Sequence, residues 1–382
     1  MIYFDNSATT MPYDEVLDTY VKLNQRFYGN ASSLHNFGGK AEQLITKARE
    51  QIADIINVKP QEIIFTSGGT EANNLAIKGT AFQYRNRGNH IITTAIEHPS
   101  VLEPCRQLEE MGYKVTYIPV NSEGIIATAD VEAAITDETI LVSIIHVNNE
   151  IGSIQPIKEI GDIVKKHSKI IYHVDNVQGV TKVPINLYEN SIDLCTFSAH
   201  KFHGLKGSGF LFKRNGIKLD PLISGGNQEQ RLRSGTENTG GIVAIAKALR
   251  MSENSHSQNK HTVHSIKSYL VEELSRIPDV VIHSPKQSSP YILNFSVNGL
   301  KGEVIVHALE SEGIIISTTS ACSSKDKTPS KTLQAMGVDE GCAIGAIRVS
   351  LSNNNTMEEA EQFIKVFKQT VDRLLTVVRR HK

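Results

Sequence analysis

The chain has 382 residues, with 40 Lys and Arg against 41 Asp and Glu and a formal net charge of −1. It is long enough for more than one domain, but its balanced charge gives no long-range attraction for nucleic acid or an anionic membrane. No long apolar run and no basic leader followed by an apolar stretch occur, which predicts a soluble, cytoplasmic protein without a membrane span. No Cys-x-x-Cys pair and no histidine at metal-ligand spacing accompany the cysteines, so neither a disulfide framework nor a metal site is predicted. The cysteines are Cys105, Cys195, Cys322 and Cys342.

Between about residues 60 and 215, short β-branched apolar runs alternate with longer amphipathic stretches. This alternation predicts an α/β fold, in which βαβ units form a mostly parallel sheet covered by helices. Ligands bind where the strands of such a sheet end. The predicted strands are EIIFTS, HIITTA, KVTYIPV, TILVSIIHV, KIIYHVD, DLCTFSA and GFLFKR.

The C-terminal part of the sequence predicts a second, smaller unit. A long helix over residues 239–277 has a polar middle and precedes two strands, PYILNFSV and IIISTT, and an amphipathic helix that closes the chain. We predict a large α/β domain over residues 16–250. Residues 1–15 and 251–382 are predicted to form a smaller α+β domain.

The stretch FTSGGTEANN leaves a predicted strand, turns on Gly68 and Gly69, and enters a helix at Thr70 with Glu71 in its first turn. Backbone N–H groups at such a helix start bind phosphate well. Ordinary helix capping explains the same residues equally well.

Polar residues also follow the later predicted strands. His98 could lie flat on an aromatic ligand or exchange protons, and Asn148 and Asn149 supply amide donors. Asp175 ends a buried strand, where a carboxylate needs a partner. That partner is either a basic side chain of this protein or a cationic ring nitrogen of a ligand.

The stretch SAHKFHGLKGSG places Lys201 between other polar groups at the end of another predicted strand. A desolvated lysine loses its proton readily and forms an imine with an aldehyde. Ser198 and His200 beside it can hold a phosphate. A lysine imine, a carboxylate for a pyridinium nitrogen and a phosphate site together indicate pyridoxal phosphate.

Ordered motifs along almost the whole chain resemble those of the NifS/IscS-type cysteine desulfurases, pyridoxal-phosphate enzymes of the class V aminotransferase family with fold type I. The longer segment around Cys322 resembles the first group of that family, whose mobile loop carries sulfur outward. The motifs are YFDNSATT, YGNASSLH, SGGTEANN, EHPSV, NNEIG, HVDNVQ, SAHKFHG, RSGTENT, SACSS and IRVSL.

The resemblance implies a role for each matching residue. Lys201 would bind the cofactor as an imine, Asp175 would pair with its pyridine nitrogen, and His98 would stack on its ring. Gln178 would bond the ring oxygen, and Thr236 would reach the phosphate across a homodimer interface. The implied cofactor-binding residues are Gly69, Thr70, His98, Asn149, Asp175, Gln178, Ser198, His200, Lys201 and Thr236.

The resemblance also implies the substrate and its chemistry. Arg348 would bind the carboxylate of L-cysteine through two parallel bonds, with help from Asn149 and Asn30. Lys201 would remove the Cα proton, and His98 is a candidate acid.

Cys322 would attack the substrate sulfur and pass its persulfide to an acceptor protein of iron–sulfur, thiamine or tRNA-thiolation pathways. Its polar, lysine-bearing surroundings favour a reactive thiolate. We expect Cys195 to pack in the core, and Cys105 and Cys342 to be structural.

The sequence departs from the family pattern at four positions. They put loop geometry, rate and partner choice in doubt, but they remove no reacting group. Two alternatives stay open: a selenocysteine lyase, and a non-catalytic homologue retained to bind sulfur-transfer partners. The four departures are Asn176, Leu205, Thr319 and Ser352.

Overall fold

The computed structural model describes residues 1–318 and 329–380, so Thr319 and Cys322 lie outside the described residues. Within those ranges the strands are β1 (Ile2–Tyr3), β2 (Ile63–Thr66), β3 (His90–Thr94), β4 (Lys114–Ile118), β5 (Thr139–Ile145), β6 (Ile171–Asp175), β7 (Leu194–Ser198), β8 (Gly209–Lys213), β9 (Val280–Ile282), β10 (Ile292–Val297), β11 (Ile314–Ile315), β12 (Ser317–Thr318) and β13 (Ala346–Ser350).

The α-helices of the same ranges are α1 (Asp14–Arg26), α2 (Asn36–Ile55), α3 (Gly69–Tyr84), α4 (Pro99–Glu110), α5 (Thr128–Ala134), α6 (Ile157–Val164), α7 (Thr239–Ser275), α8 (Gly302–Glu310), α9 (Lys331–Ala335), α10 (Glu340–Ile344) and α11 (Met357–Arg380). Short 3₁₀ turns add to them, among them Ala199–Lys201 directly after β7.

All seven strands predicted between residues 60 and 215 form one sheet, in the order β2-β8-β7-β6-β5-β3-β4. Strand β8 is antiparallel to both of its neighbours, and the pairs from β7 to β4 are parallel. The α/β fold with a mostly parallel sheet is therefore confirmed.

The strands of this sheet bury side chains on both faces because helices cover both sides. Ile63 and Phe65 of β2 pack in one hydrophobic cluster, whereas Ile64 packs in another. Val142 of β5 lies in the first cluster and Leu141 in the second. Successive residues of a strand point to opposite faces, which explains why the sequence shows continuous apolar runs here.

The C-terminal part packs around a separate cluster of buried residues. Strands β12, β13, β10 and β9 form an antiparallel sheet, and β1 pairs in parallel with β11. Ile2 and Phe4 lie in this cluster with residues of β10, β13 and α11. The N-terminal residues thus pack with the C-terminal part, although they precede the large sheet in sequence.

Helix α7 connects the two parts as one continuous element of 37 residues. Ile245 and Leu249 in its first half pack on the large sheet, whereas Ile266 and Leu270 pack in the C-terminal cluster. The domain boundary at residue 250 stays a prediction, since the helix runs through it. Among the described helices, none combines the length and the apolar character needed to cross a membrane.

Candidate active site

A cavity of about 890 Å³ lies at the carboxyl ends of the parallel strands. One side, called here the sheet wall, consists of the residues that follow β2, β3, β5, β6 and β7. The opposite side, called the facing wall, consists of residues 7–9, Arg348 of β13 and residues 329–332. The predicted site residues that line the cavity are Gly69, Thr70, His98, Asn149, Asp175, Gln178, Ser198, His200, Lys201 and Arg348.

The turn after β2 forms a narrow cradle at the start of α3. Gly68 has φ +149°, where a residue with a Cβ is strained. A Cβ on Gly69 would lie 3.0 Å from Val177 Cγ2 and 3.3 Å from Ser198 Cβ. Glycine therefore lets the helix start approach the ends of β6 and β7, and N–H groups at a helix start favour a phosphate.

Glu71 holds this turn in place. Its carboxylate accepts a hydrogen bond from the Ser67 backbone N–H at 2.8 Å and another from Arg233 Nε at 3.0 Å. Burial alone would raise the pKa of Glu71, but the hydrogen bonds from Ser67 and Arg233 outweigh burial and lower the pKa below its ordinary value. Glu71 is therefore a charged anchor of the cradle.

Asp175 lies at the end of β6 and is almost completely buried. Its Oδ1 accepts the backbone N–H of Val177 at 3.0 Å, and its Oδ2 accepts the amide of Asn73 at 2.8 Å. Neither donor is a cation. A buried carboxylate with no basic hydrogen-bond partner among the described residues favours the second interpretation of the sequence, a cationic nitrogen supplied by a ligand.

Lys201 ends the 3₁₀ turn that follows β7 and points across the cavity. Its Nζ donates to the carbonyl oxygens of Ser7 at 2.6 Å and Ala8 at 2.8 Å. The neighbouring His200 Nδ1 lies 3.2 Å from Thr9 Oγ1. Burial lowers the pKa of His200 to about 3, and nearby lysines act in the same direction, so this imidazole is neutral beside the amine.

Arg348 is buried in the facing wall, and its guanidinium keeps hydrogen-bond donors for a ligand. Its Nη2 donates to Asp5 Oδ1 at 3.0 Å, and its Nη1 donates to the Asn149 carbonyl oxygen at 2.9 Å. Arg348 Nε is buried and has no hydrogen-bond partner within the described ranges. Burial raises the pKa of Asp5 while Arg348 opposes that rise. The guanidinium therefore retains donors that can bind a carboxylate.

Residues 2–363 match the family model for class V aminotransferases. The chain belongs to this family. A NifS/IcsS protein homolog of Lactobacillus delbrueckii subsp. bulgaricus is 46% identical over 370 residues, which are 96% of each chain. A cysteine desulfurase IscS of Dictyoglomus turgidum is 42% identical over 378 residues, 98% of this chain and 96% of that protein.

The solved structures agree with these relatives. A NifS-like protein superposes with a TM-score of 0.92 at 39% identity, and the match covers 97% of this chain and 99% of that chain. The NifS/IscS-type class V aminotransferase inferred from the motifs is thus confirmed, as is its fold class.

Two residues that the family resemblance adds to the site lie away from the cavity of this single chain. Asn30 and Thr236 are both exposed, and neither lines the cavity. Asn30 Oδ1 accepts the backbone N–H of Ser32 at 2.8 Å. For Thr236 this position agrees with the expectation that it reaches the cofactor of a second copy, and both roles stay predictions.

The cysteines of the described ranges all lie outside the cavity. Cys105 and Cys195 are fully buried, and burial raises the pKa of Cys105 to about 12. Burial also raises the pKa of Cys195 well above its ordinary value. Cys342 is half-buried and donates to Asn298 Oδ1 at 3.2 Å. None of these three thiols reaches the cavity, which leaves Cys322 as the candidate.

Sequence reasoning missed Glu97, which lines the cavity beside His98. Its Oε1 accepts hydrogen bonds from Thr94 Oγ1 and the Ile145 N–H, both at 2.8 Å, whereas its buried Oε2 has no partner among the described residues. Burial, with a smaller contribution from the charge of Asp175, raises the pKa of Glu97 to about 8 against the lowering effect of these hydrogen bonds. Asp175 was predicted as a site residue because a carboxylate stands at the end of a buried strand. Glu97, which follows β3, fits the same pattern.

Sequence reasoning also missed Asn73, Ser100 and Asp5. All three lie inside motifs that were already recognised, SGGTEANN, EHPSV and YFDNSATT. Their contacts join elements distant in sequence, so no spacing in the chain indicates them. Asp5 is 343 positions from the arginine that it contacts.

Proposed function

We propose that this chain is a pyridoxal-phosphate-dependent cysteine desulfurase. It would convert L-cysteine to L-alanine and transfer the sulfur through Cys322 to an acceptor protein. One observation carries the proposal: a single cavity brings together the Lys201 amine, the buried Asp175 carboxylate and the Arg348 guanidinium. The names of the relatives, cysteine desulfurase and NifS-like protein, support the same reaction.

The cavity residues fit pyridoxal phosphate. Gln178 donates its Nε2 to the Ser7 carbonyl at 3.0 Å, and its buried Oε1 accepts no hydrogen bond from the described residues. That oxygen can bond a ring hydroxyl, and Asp175 can bond a ring nitrogen. The cradle of Gly69 and Thr70, with Ser198 and His200, would hold the phosphate.

When bound, the cofactor would supply an aldehyde and a ring that accepts electrons. Lys201 would attach to this aldehyde, since it follows β7 directly and its Nζ crosses the cavity to the Ser7 and Ala8 carbonyls. Its 2.6 Å and 2.8 Å bonds to two carbonyl oxygens fix the position of Nζ in the cavity. Once released, the same Nζ is placed to remove a proton from the substrate Cα.

Arg348 would orient the substrate. Asp5 and the Asn149 carbonyl hold one side of its guanidinium, so the plane of the group is fixed before a ligand binds. A planar guanidinium binds a carboxylate through two parallel hydrogen bonds. Asn149, which also lines the cavity, would add an amide donor near that carboxylate.

Cys322 would take the sulfur. The Cys322 thiolate attacks the substrate sulfur, the carbon–sulfur bond breaks, and its electron pair stays on the carbon fragment, which takes up protons to become alanine. L-cysteine and one protein thiol thus give alanine and one protein persulfide, and no external oxidant or reductant is needed. Pro329 and Thr332, shortly after Cys322, line the cavity.

We extend the proposal to a homodimer in which Thr236 completes the site of the partner. The segment before Thr236 is held firmly: Glu229 pairs with Arg49 and accepts the Phe65 N–H at 2.8 Å, and Arg233 bonds Glu71. Thr236 itself is exposed. A fixed segment that ends in an exposed hydroxyl suits a contact with a second copy.

The acceptor is proposed by class only. An iron–sulfur scaffold, a thiamine-pathway protein or a tRNA-thiolation protein would accept a persulfide sulfur by thiol exchange. The cytoplasmic location expected from the sequence belongs to the same proposal.

The deciding experiment incubates the purified protein with L-cysteine and a reductant and measures alanine and sulfide. We expect both products from the wild type and from Cys342→Ser, and neither from Cys322→Ser. Lys201→Arg should also lack the visible absorbance band that borohydride removes from the wild type. Equal sulfide from the wild type and Cys322→Ser would remove Cys322 from its role.

The same assay separates the two alternatives. Turnover of selenocysteine without turnover of cysteine would identify a selenocysteine lyase. A colourless protein with no product from either substrate would identify a non-catalytic binding protein.

A further inference from the structure

A continuous chain of hydrogen bonds joins Asp175 to His98 along the sheet wall. Asn73 Nδ2 lies 2.8 Å from Asp175 Oδ2 and 2.8 Å from Ser100 Oγ. Ser100 Oγ lies 2.8 Å from His98 Nδ1, and the Ser100 backbone N–H donates to the same nitrogen at 3.1 Å. Asn73 and Ser100 are both buried, at 1% and 8% exposure, so bulk water does not compete for these bonds.

The direction of every bond in this chain follows from its two ends. An ionised carboxylate only accepts hydrogen bonds, so the Asn73 amide nitrogen faces Asp175. The second hydrogen of that nitrogen goes to Ser100 Oγ. Because this hydroxyl oxygen accepts from Asn73, its own hydrogen is available for His98 Nδ1. Two donors of Ser100 therefore converge on Nδ1, which must carry a lone pair.

We propose that Asn73 and Ser100 are positioning residues that hold His98 as a neutral imidazole with its hydrogen on Nε2. His98 lines the cavity and begins α4 as its capping residue, with Nδ1 turned to the helix start. The ring nitrogen left for a ligand is then a hydrogen-bond donor and not an acceptor.

Protonation of His98 is opposed by the same contacts. A proton on Nδ1 would meet the Ser100 backbone N–H, which cannot turn away, so the imidazolium would lose that bond, and the Ser100 hydroxyl would have to change from donor to acceptor. Burial lowers the pKa of His98, and the nearby Lys201 ammonium lowers it further, whereas Asp175 opposes both. His200 also faces this ring, and its low pKa keeps it neutral.

The consequence for catalysis rests on the proposed function. A neutral imidazole with its hydrogen on Nε2 can donate a hydrogen bond, but giving up that proton would leave an imidazolate. Proton transfer to and from substrate carbon then falls to Lys201, and His98 serves by hydrogen bonding and stacking. The tautomer itself concerns only side chains of this chain and does not depend on the reaction.

The test is a long-range ¹H–¹⁵N correlation spectrum of the full-length protein labelled at histidine nitrogens. His98 is assigned by the signals that disappear in His98→Phe. We expect a protonated Nε2 and an unprotonated Nδ1, unchanged as the pH falls from 8 to about 6, near the ordinary histidine pKa. A hydrogen on Nδ1 would overturn the proposal.

Asn73→Asp tests whether the chain holds this state. The new carboxyl group would share a proton with Asp175, and the oxygen that replaces Nδ2 would accept the Ser100 hydroxyl hydrogen and draw it away from His98. We expect the titration midpoint of His98 to rise by roughly one pH unit, the equivalent of one lost hydrogen bond. Asn74→Asp is the control: it makes the same substitution at the neighbouring position of α3, where Asn74 Nδ2 bonds the exposed Thr70 carbonyl. An equal midpoint in Asn73→Asp and Asn74→Asp would contradict the proposal.

Ser100→Ala covers the case in which Asn73→Asp does not fold. It removes only the hydroxyl and leaves the backbone N–H, so the tautomer should persist and the midpoint should rise by a similar amount. An unchanged His98 titration midpoint in Ser100→Ala would show that the Ser100 hydroxyl does not hold His98 in its neutral state. These spectra are interpretable even if no alanine forms from cysteine, so failure of the tautomer and failure of the proposed function are distinguishable.

Discussion

The two walls of the cavity are stabilised in different ways. On the sheet wall, polar side chains join neighbouring elements: Asn73 links Asp175 to Ser100, and Glu97 accepts hydrogen bonds from the last residues of β3 and β5, Thr94 and Ile145. On the described part of the facing wall, Arg348 pairs with Asp5, which lies 343 positions away in the chain.

The two walls are therefore expected to have different roles, control of protonation on the sheet wall and substrate binding on the facing wall. The residues of the sheet wall lie at the ends of strands of one sheet. The protonation states of its side chains are therefore set by neighbours that cannot move independently. The facing wall combines the N-terminal residues with β13, both of which pack in the C-terminal cluster. A change on the sheet wall should therefore alter protonation and stability, whereas a change on the facing wall should alter substrate binding.

Glu97→Gln gives the largest expected effect and tests the sheet wall. The folded pKa of Glu97 is about 8 and its ordinary value is 4.5. Between these values the folded chain holds a proton that the unfolded chain has lost, so wild-type stability falls as pH rises. Gln cannot ionise and keeps the bonds from Thr94 and Ile145. The difference of about 3.5 between these pKa values, at about 1.36 kcal/mol per unit, makes the variant roughly 4–5 kcal/mol more stable at pH 9 and nearly equal at pH 4.5.

Thermal or denaturant unfolding of the two proteins across pH measures this effect. Glu110→Gln on the exposed surface of α4 is the control and should show no pH-dependent gain. A gain for Glu97→Gln that is the same at pH 4.5 and pH 9 would contradict a protonated Glu97.

Arg348→Lys tests the facing wall. Lysine keeps the positive charge near Asp5 but loses the planar pair of donors, so we expect KM for L-cysteine to rise about 30-fold, or about 2 kcal/mol. The alanine assay measures KM and kcat separately. Asp5→Asn, which leaves the guanidinium intact, should raise KM less. A fall in kcat with unchanged KM would assign Arg348 to the chemical step instead.

Glu71→Gln should have the smallest effect. The amide keeps the shape of the cradle but loses the charge that pairs with Arg233, and such a partly buried pair contributes about 1 kcal/mol. We expect a several-fold faster loss of bound pyridoxal phosphate on dialysis at neutral pH. Because the pKa of Glu71 is lowered, its stabilisation is present above the ordinary pKa of 4.5 and fades as pH falls below it. Equal cofactor loss from the wild type and Glu71→Gln at neutral pH would show that the Glu71 charge does not stabilise the phosphate-binding turn.

Most of the fold could be predicted from the chain. Every strand of the large sheet was indicated by an apolar run, because strands buried on both faces have continuous apolar sequence. The residues after those strands were predicted as the site for the same reason, since parallel strands bring their carboxyl ends to one edge. The long helix α7 was visible in its periodicity.

The sequence by itself determined the sheet, the cradle glycines and the set of strand-end groups, because local periodicity and strand direction suffice to align them. Only the tertiary structure decided which groups share protons and charges. Asp5 meets Arg348, the Ser7 carbonyl meets Lys201, and Asn73 directs Ser100 toward His98 through contacts between distant segments. Protonation depends on burial and on the few atoms within hydrogen-bond distance, and packing alone sets both.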